Sequence, residues 1–355
     1  MCKMNTESIK RLDKSKMMDL LINFPKQLSD AADIGKGIDF TAKIRKGFNK
    51  IVFTGLGGSA IGADLIRSYV AGECRVPIFV NRDYTLPAFV DKDTLLIVSS
   101  YSGNTEETLS AYDEGLKKGA GIVAITSNGE LKKRAERDGF PFIIIPQGYP
   151  PRCALGYSSI PIIMLFAKLG LISDKAKEIK EAIEVMEGLK KDALSPEIGK
   201  DKNIAKEVAG ELLNRYAIIY GANQHTDVVA TRWRGQLAEN SKAVSSSHLF
   251  PEMNHNEIVG WRNPKNLMKN FLVLILRDKG DHPRVKTRME ISKTIISKED
   301  VKIVEVHSKG KSILSRIFSL IYIGDFVSVY LAILNGVDPT PVDSVMYLKN
   351  ELAKV

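Results

Sequence analysis

Short runs rich in Val, Ile, Leu and Phe alternate along the first half of the chain with longer segments whose apolar residues recur at helical spacing. That alternation marks βαβ units around a parallel sheet covered on both faces. Strands are predicted at Ile51–Thr54, Pro77–Val80, Leu95–Ser99, Ile122–Thr126 and Phe142–Ile145, and helices at Gly58–Ala71, Asn104–Lys118 and Gly129–Arg137. After Pro150-Pro151 a helical stretch near Ser158–Leu169 leads into a polar segment, Asp174–Asp192, whose Lys and Glu residues pair at helical spacing and which reads as a bridge between domains. The second half repeats the plan, with strands at Tyr216–Tyr220, Ala243–Ser246, Phe271–Leu276 and Val301–Val306 and helices at Thr226–Ala238, Pro283–Ser297 and Ser312–Leu334. The turn Tyr220-Gly221-Ala222-Asn223 mirrors Thr54-Gly55-Leu56-Gly57 in pattern, though not in identity, so the halves read as two lobes descended from one unit. A last helix, Pro341–Leu352, starts at Asp338-Pro339-Thr340-Pro341, where Pro suits the first helical position. The expected architecture is α/β with two doubly wound, flavodoxin-like parallel-sheet lobes. One covers residues 1–165; a linking helix lies in 166–200; the second lobe covers 201–340, and a C-terminal helix follows at 341–355.

The bulk properties narrow the function without choosing it. A length of 355 residues suits two domains, and 44% hydrophobic with 26% charged residues is ordinary for a chain with a large buried core. The formal charge of +9 is spread along the chain, with no zinc-finger spacing and no basic stripe interleaved with aromatics. Nucleic acid is therefore not an expected partner, and the excess charge is a weak bias toward small anions. Cys2, Cys74 and Cys153 form no C-x-x-C pair, which argues against a disulfide framework or a thiolate metal site and fits a reducing cytoplasm. The segment Met1 to Phe24 carries Lys3, Lys10, Arg11, Lys14 and Lys16 and has no apolar core, so it is not read as a signal peptide. The longest apolar run, Ile321 to Leu334, is interrupted by Asp325 and is read as too short to span a bilayer, hence as a buried helix with no membrane partner. His282 and His307 are isolated, no His-x-x-x-His occurs, and Asp278 and Asp281 lack ligand spacing, so neither a metal nor another cofactor is expected.

Two turns carry candidate chemistry. Thr54-Gly55-Leu56-Gly57-Gly58-Ser59-Ala60 follows a strand and opens a helix, where glycines admit a ligand close to the backbone and the first helical N–H groups attract phosphate. Gly55, Gly57 and Ala60 also satisfy the dinucleotide fingerprint, but the next strand ends Asn81-Arg82-Asp83, which places the required acid late. A glycine turn needed only for tight strand–helix packing is the bland reading. The second turn, Ser99-Ser100-Tyr101-Ser102-Gly103-Asn104-Thr105-Glu106-Glu107-Thr108, follows the strand Leu95–Ser99 directly. Its hydroxyls and helix N-terminus can wrap a phosphate dianion, whereas an N-cap at Asn104 or Thr105 needs a single hydroxyl.

The pair of turns resembles the sugar isomerase (SIS) domain, whose phosphate-binding signature is close to Ser-Tyr-Ser-Gly-Asn-Thr-Glu-Glu-Thr. Pro150-Pro151-Arg152, Ala238-Glu239-Asn240-Ser241-Lys242, Glu252-Met253-Asn254-His255-Asn256-Glu257 and Asp338-Pro339-Thr340-Pro341, in this order, resemble the bifunctional phosphoglucose/phosphomannose isomerases. The resemblance covers about Lys50 to Leu352, and Cys153 stands where it would place a smaller residue. It implies two lobes of the SIS type, with the phosphate site in 1–165 and the C-terminal helix 341–355 returning to the active site, and an aldose–ketose isomerase that interconverts glucose 6-phosphate, and mannose 6-phosphate, with fructose 6-phosphate through a cis-enediol, without metal.

Such a reaction needs a carboxylate to move a proton between C1 and C2, a cation to steady the enediolate and an acid–base pair to open the ring. By the resemblance Glu239 is the base, Arg152 the cation, and His255 and Lys349 open the ring, with His225 and His248 as competing histidines. Gly57, Gly58, Ser59, Ser100, Ser102 and Thr105 would bind the phosphate, and Thr340 would leave room for the C2 epimer. Taken one at a time, Glu239 is a solvated Glu ending a helix, Arg152 a surface cation and Lys349 one of many exposed lysines; their motifs lift them from that background. The resemblance further implies a homodimer with shared active sites. Two other classes stand beside this reading: a non-catalytic sugar-phosphate sensor of the same fold, and a nicotinamide-dependent dehydrogenase resting on the glycine turn alone.

Overall fold

The computed structural model describes residues 4–352 and 354. It divides into two compact units, one of Asn23–Glu184 with Lys311–Ser315, the other of the N-terminal stretch to Ile22 with Val185–Gly310 and the chain from Arg316 onward. The boundary falls inside the polar helix Ala176–Leu189.

The first lobe is built on five parallel strands: β1 (Lys50–Thr54), β2 (Ile78–Asn81), β3 (Thr94–Ser99), β4 (Gly121–Thr126) and β5 (Phe142–Ile144), in the order β2-β1-β3-β4-β5. β3 is buried along its whole length and β1 from Ile51 onward, which explains their continuous apolar sequence. Because the order reverses after the first crossover, β1 and β3 lie side by side, with Lys50 opposite Thr94 and Thr54 opposite Val98. Their C-terminal ends therefore open together at the topological switch point, the place where doubly wound sheets bind ligands. Helices Gly57–Val70 and Glu106–Lys117 start there. Helix Phe24–Lys36, a segment in which the hydrophobic pattern predicts no element, buries Phe24, Pro25, Gln27, Leu28 and Ala31.

The second lobe has four parallel strands, β6 (Tyr216–Ala222), β7 (Ser245–Phe250), β8 (Phe271–Arg277) and β9 (Lys302–His307), in the order β7-β6-β8-β9. The fold is thus two doubly wound α/β lobes, as expected. β7 is displaced from the predicted Ala243–Ser246. Its Ser-Ser-Ser-His sequence has no apolar alternation, and its place is set by pairing with β6, from Ala217 opposite Ser245 to Ala222 opposite Phe250. Helix Thr226–Ser241 runs beyond the predicted Ala238 and stops at Lys242, which takes left-handed backbone angles. Helix Ile313–Asn335 corrects the length argument made from the shorter apolar run. At 23 residues, with an 18-residue stretch of mean hydropathy 2.1, it is long and apolar enough to cross a membrane by length and composition, but 94% of that stretch is buried inside the protein, as in a core helix. Asp325 within it is buried and bonds Arg232 Nε and Nη2 at 3.1 and 2.7 Å and Gln236 Nε2 at 2.9 Å.

Candidate active site

In the first lobe the two predicted phosphate turns meet. Gly57 and Gly58 begin a helix whose opening N–H groups have no partner within the helix itself. Gly58 has no room for a side chain: a Cβ there would lie 2.5 Å from the Pro151 carbonyl oxygen and 3.1 Å from the Arg152 nitrogen, so the helix start is pressed against the arginine turn. Ser59 Oγ accepts a hydrogen bond from the Tyr101 N–H at 3.2 Å, joining the end of β1 to the end of β3. Within the second turn Ser100 Oγ lies 2.9 Å from Thr105 Oγ1 and accepts from the Gly103 N–H at 3.1 Å, and Ser102 Oγ accepts from the Asn104 N–H at 3.2 Å. Ser59 and Ser100 are buried, Thr105 half-buried and Ser102 exposed. Thr105 occupies the N-cap position of helix Glu106–Lys117, yet its side chain makes no capping bond. The hydroxyl cluster is therefore not explained by capping.

The acid that a dinucleotide site would need at the end of β2 is absent: Asn81 stands there, its amide donating to Thr54 Oγ1 at 3.3 Å and to the Asp83 carbonyl at 3.1 Å. Arg152 is buried in the tight turn Pro151–Cys153. Tyr101 supports the approach to that turn, because its hydroxyl donates to the Pro146 carbonyl and accepts the Tyr149 N–H, both at 2.9 Å. Nothing in the sequence signals that support apart from the position of Tyr101 inside the hydroxyl-rich motif.

In the second lobe Glu239 is half-buried in the last turn of helix Thr226–Ser241. Lys242, just beyond, donates through Nζ to the Glu239 carbonyl at 2.7 Å and to the Pro339 carbonyl at 3.1 Å. It thereby ties the helix end to the turn that holds Thr340, whose N–H bonds Asp338 Oδ1 at 2.9 Å. Asn240 Nδ2 donates to Ser328 Oγ at 2.9 Å and Ser241 Oγ to the Ser328 carbonyl at 2.6 Å, fixing the rotation of the turn that presents Glu239.

His255 ends the short helix Glu252–His255 that follows β7 and is exposed. Its loop is anchored on either side, by Asn254 Nδ2 donating to Ser292 Oγ at 2.8 Å and by Glu257 Oε1 accepting the Tyr220 hydroxyl at 2.5 Å. The same hydroxyl accepts from Trp261 Nε1 at 3.0 Å, and burial beside Glu257 pushes the Tyr220 phenol far up, so it remains a donor. Lys349 lies on helix Asp343–Leu352, none of whose residues is buried. Neither His255 nor Lys349 makes a side-chain hydrogen bond or ion pair among the described residues. His225 precedes helix Thr226–Ser241 while Glu239 is in its last turn, about 20 Å along the axis at 1.5 Å per residue. That separation removes His225 as a partner of Glu239 within one chain. His248 lies in β7 with Nδ1 accepting the Leu249 N–H at 2.7 Å.

The second lobe has a switch point of its own, between the ends of β6 and β8, but no hydroxyl turn occupies it. Asp278, following β8, is buried and bonds Arg316 Nε at 2.7 Å and Ser308 Oγ at 2.6 Å. Burial raises the carboxyl of neighbouring Asp281 to about 6. Among the described residues no group of three or more His, Cys, Asp or Glu side chains is arranged to hold a metal ion. Neither Cys74 nor Cys153 is in a disulfide among the described residues, and Cys2 lies outside them.

Residues 201–352 match the family described as bacterial phospho-glucose isomerase C-terminal SIS domain. The chain is 49% identical to the bifunctional phosphoglucose/phosphomannose isomerase of Caldicellulosiruptor bescii, over 96% of this chain and 99% of that one. It is 39% identical to the enzyme of the same name from Aquifex aeolicus, over 86% and 91% of the two chains. Among solved structures it is similar in fold to a hypothetical protein of Thermus thermophilus, with TM-score 0.76 at 15% identity over 98% and 93% of the chains. It is also similar to tagatose-6-phosphate ketose/aldose isomerase of Escherichia coli, with TM-score 0.69 at 15% identity over 92% and 95%.

Proposed function

The chain belongs to the bifunctional phosphoglucose/phosphomannose isomerase family, and from that premise we propose how its residues interconvert glucose 6-phosphate and mannose 6-phosphate with fructose 6-phosphate. The observation that carries the reading is the bond from Tyr101 N–H to Ser59 Oγ, which merges two phosphate-friendly turns at one switch point. The hydroxyls of Ser59, Ser100, Ser102 and Thr105 and the N–H groups of Gly57 and Gly58 hold the substrate phosphate. His255 and Lys349 open the sugar ring by protonating and deprotonating its oxygens. Glu239 then takes the proton from C2 of the aldose and returns it to C1, and takes it from C1 in the reverse direction. Between the two transfers the negative charge rests on the enediolate, which Arg152 stabilises. Thr340 leaves space for either configuration at C2, since the planar intermediate has none.

The active unit is a homodimer in which His255 serves the neighbouring subunit's Glu239. Helix Asp343–Leu352 supports this reading, because Val345, Met346, Tyr347, Leu348 and Leu352 are all exposed on it, more apolar surface than one short helix of a lone chain usually leaves uncovered. The experiment is to supply fructose 6-phosphate and score glucose 6-phosphate and mannose 6-phosphate in separate coupled assays. Both products are expected. Glucose 6-phosphate alone would remove the role given to Thr340, and neither product would overturn the assignment.

A further inference from the structure

We propose that Gln27 is a positioning residue for the reaction: its side-chain amide locks the turn that carries Arg152 and thereby sets turnover rather than substrate affinity. The inference rests on the role given to Arg152 above. Gln27 comes from helix Phe24–Lys36, ahead of every motif that carries the family resemblance, and it is only 3% exposed among apolar neighbours. A buried primary amide has to find partners for its donors and its acceptor. Gln27 finds them on both sides of one junction: Nε2 donates to the Cys153 carbonyl at 2.8 Å, and Oε1 accepts the Gly156 N–H at 2.9 Å. That junction is where the turn Pro151–Cys153 becomes helix Leu155–Lys168. The first N–H groups of a helix need an acceptor from outside, and the residue at the N-cap position, Ala154, has no side chain to offer one. Gln27 supplies it from 129 residues away.

The fit is close from both directions. A Cβ at Gly156 would lie 2.9 Å from Gln27 Oε1 and 3.2 Å from its Cγ, and a Cβ at Gly58 would strike the Pro151 carbonyl. The backbone of Arg152 is thus held between the start of the phosphate-binding helix and the Gln27 amide, which fixes the guanidinium's attachment point relative to the phosphate turns. Phosphate contacts act on bound substrate and transition state alike, whereas a cation for the enediolate acts only once charge has moved. Loosening the turn therefore acts on kcat.

The test is Gln27→Leu and Gln27→Glu, each made alone and in an Arg152→Lys background, with kcat and KM for fructose 6-phosphate measured per folded chain. Gln27→Leu is expected to lower kcat by roughly ten- to a hundred-fold, the scale of a misplaced catalytic group, with KM changed by less than about twofold. Gln27→Glu keeps the acceptor for Gly156 and loses the donor to Cys153, so it should fall between Gln27→Leu and the wild type. In the Arg152→Lys background neither change should slow the enzyme further, because the group being positioned is already impaired. Normal kcat in Gln27→Leu, a rise in KM without loss of kcat, or a full additional loss on top of Arg152→Lys would each overturn the proposal. Failure of both Gln27 variants to fold would assign the residue to stability alone and overturn it as well. If Arg152→Lys itself leaves kcat intact, it is the role of Arg152 that falls; if it slows the enzyme while Gln27→Leu does not, only the clamp falls.

Discussion

Glu239 is distinguished by how its backbone is held: Lys242 ties the helix end to Pro339 while Asn240 and Ser241 tie it to Ser328, which fixes where the half-buried carboxylate is presented. Glu239→Gln is expected to fold normally and bind fructose 6-phosphate while losing at least ~10²-fold in kcat, the usual contribution of a general base. Measured turnover near the wild-type value would move the base elsewhere, with Glu252 or Glu257 next. Ser102→Ala and Thr105→Ala should act in the opposite sense. Thr105 caps nothing and Ser102 is exposed, so neither change should lower the melting temperature much, and both should raise KM more than they lower kcat. Melting without a change in KM would return the cluster to a structural role. These side chains are readable from sequence because each sits in a local motif. Gln27 and Tyr101 are not, since their work is done across 129 and 48 residues and leaves no local signature.

The elements that can be read are those buried on both faces. β1, β3 and β8 appear as continuous apolar runs, and the sheet leaves them no alternative. β7 is misplaced because parallel pairing, not composition, sets its bounds, and helix Phe24–Lys36 escapes because its buried face carries Pro25, Gln27 and Gly35 among few large apolar residues. Helix Ile313–Asn335 is recognisable, but its apolar run reads as beginning only at Ile321, since Ser315, Arg316 and Ser319 interrupt its first turns. Its one acid is the telling residue. Arg232 and Asp325 are each 3% exposed in side chain, so removing either partner leaves the other charge buried without its counter-ion. Asp325→Leu should therefore destabilise the protein by about 3–5 kcal/mol, whereas Arg232→Met combined with Asp325→Leu should restore most of that loss. Urea titrations of the two variants decide it. Equal destabilisation would show that Gln236, which also bonds Asp325, and not the charge pair, dominates the seam.

At the scale of the assembled molecule, the exposed His255 and the uncovered helix Asp343–Leu352 bear on subunit pairing. Glu239→Gln and His255→Ala, each inactive alone, should complement when unfolded together and refolded at equal concentration. Random pairing makes half of the dimers mixed, and each mixed dimer holds one intact site, so about a quarter of the wild-type activity should return. No recovery from a mixture shown to contain hybrid dimers would confine His255 to its own subunit. Two lobes of one topology also raise the question of how many ligands a chain can hold. The answer lies with Asp278, which is to Arg316 what a substrate phosphate would be, an anion already in place. Because it is tethered, it meets the guanidinium whatever the concentration of dissolved metabolite, so an incoming phosphate would have to displace it. Calorimetric titration with fructose 6-phosphate should accordingly give about one equivalent per chain rather than two, the second lobe having the shape of a receptor while carrying its own built-in competitor.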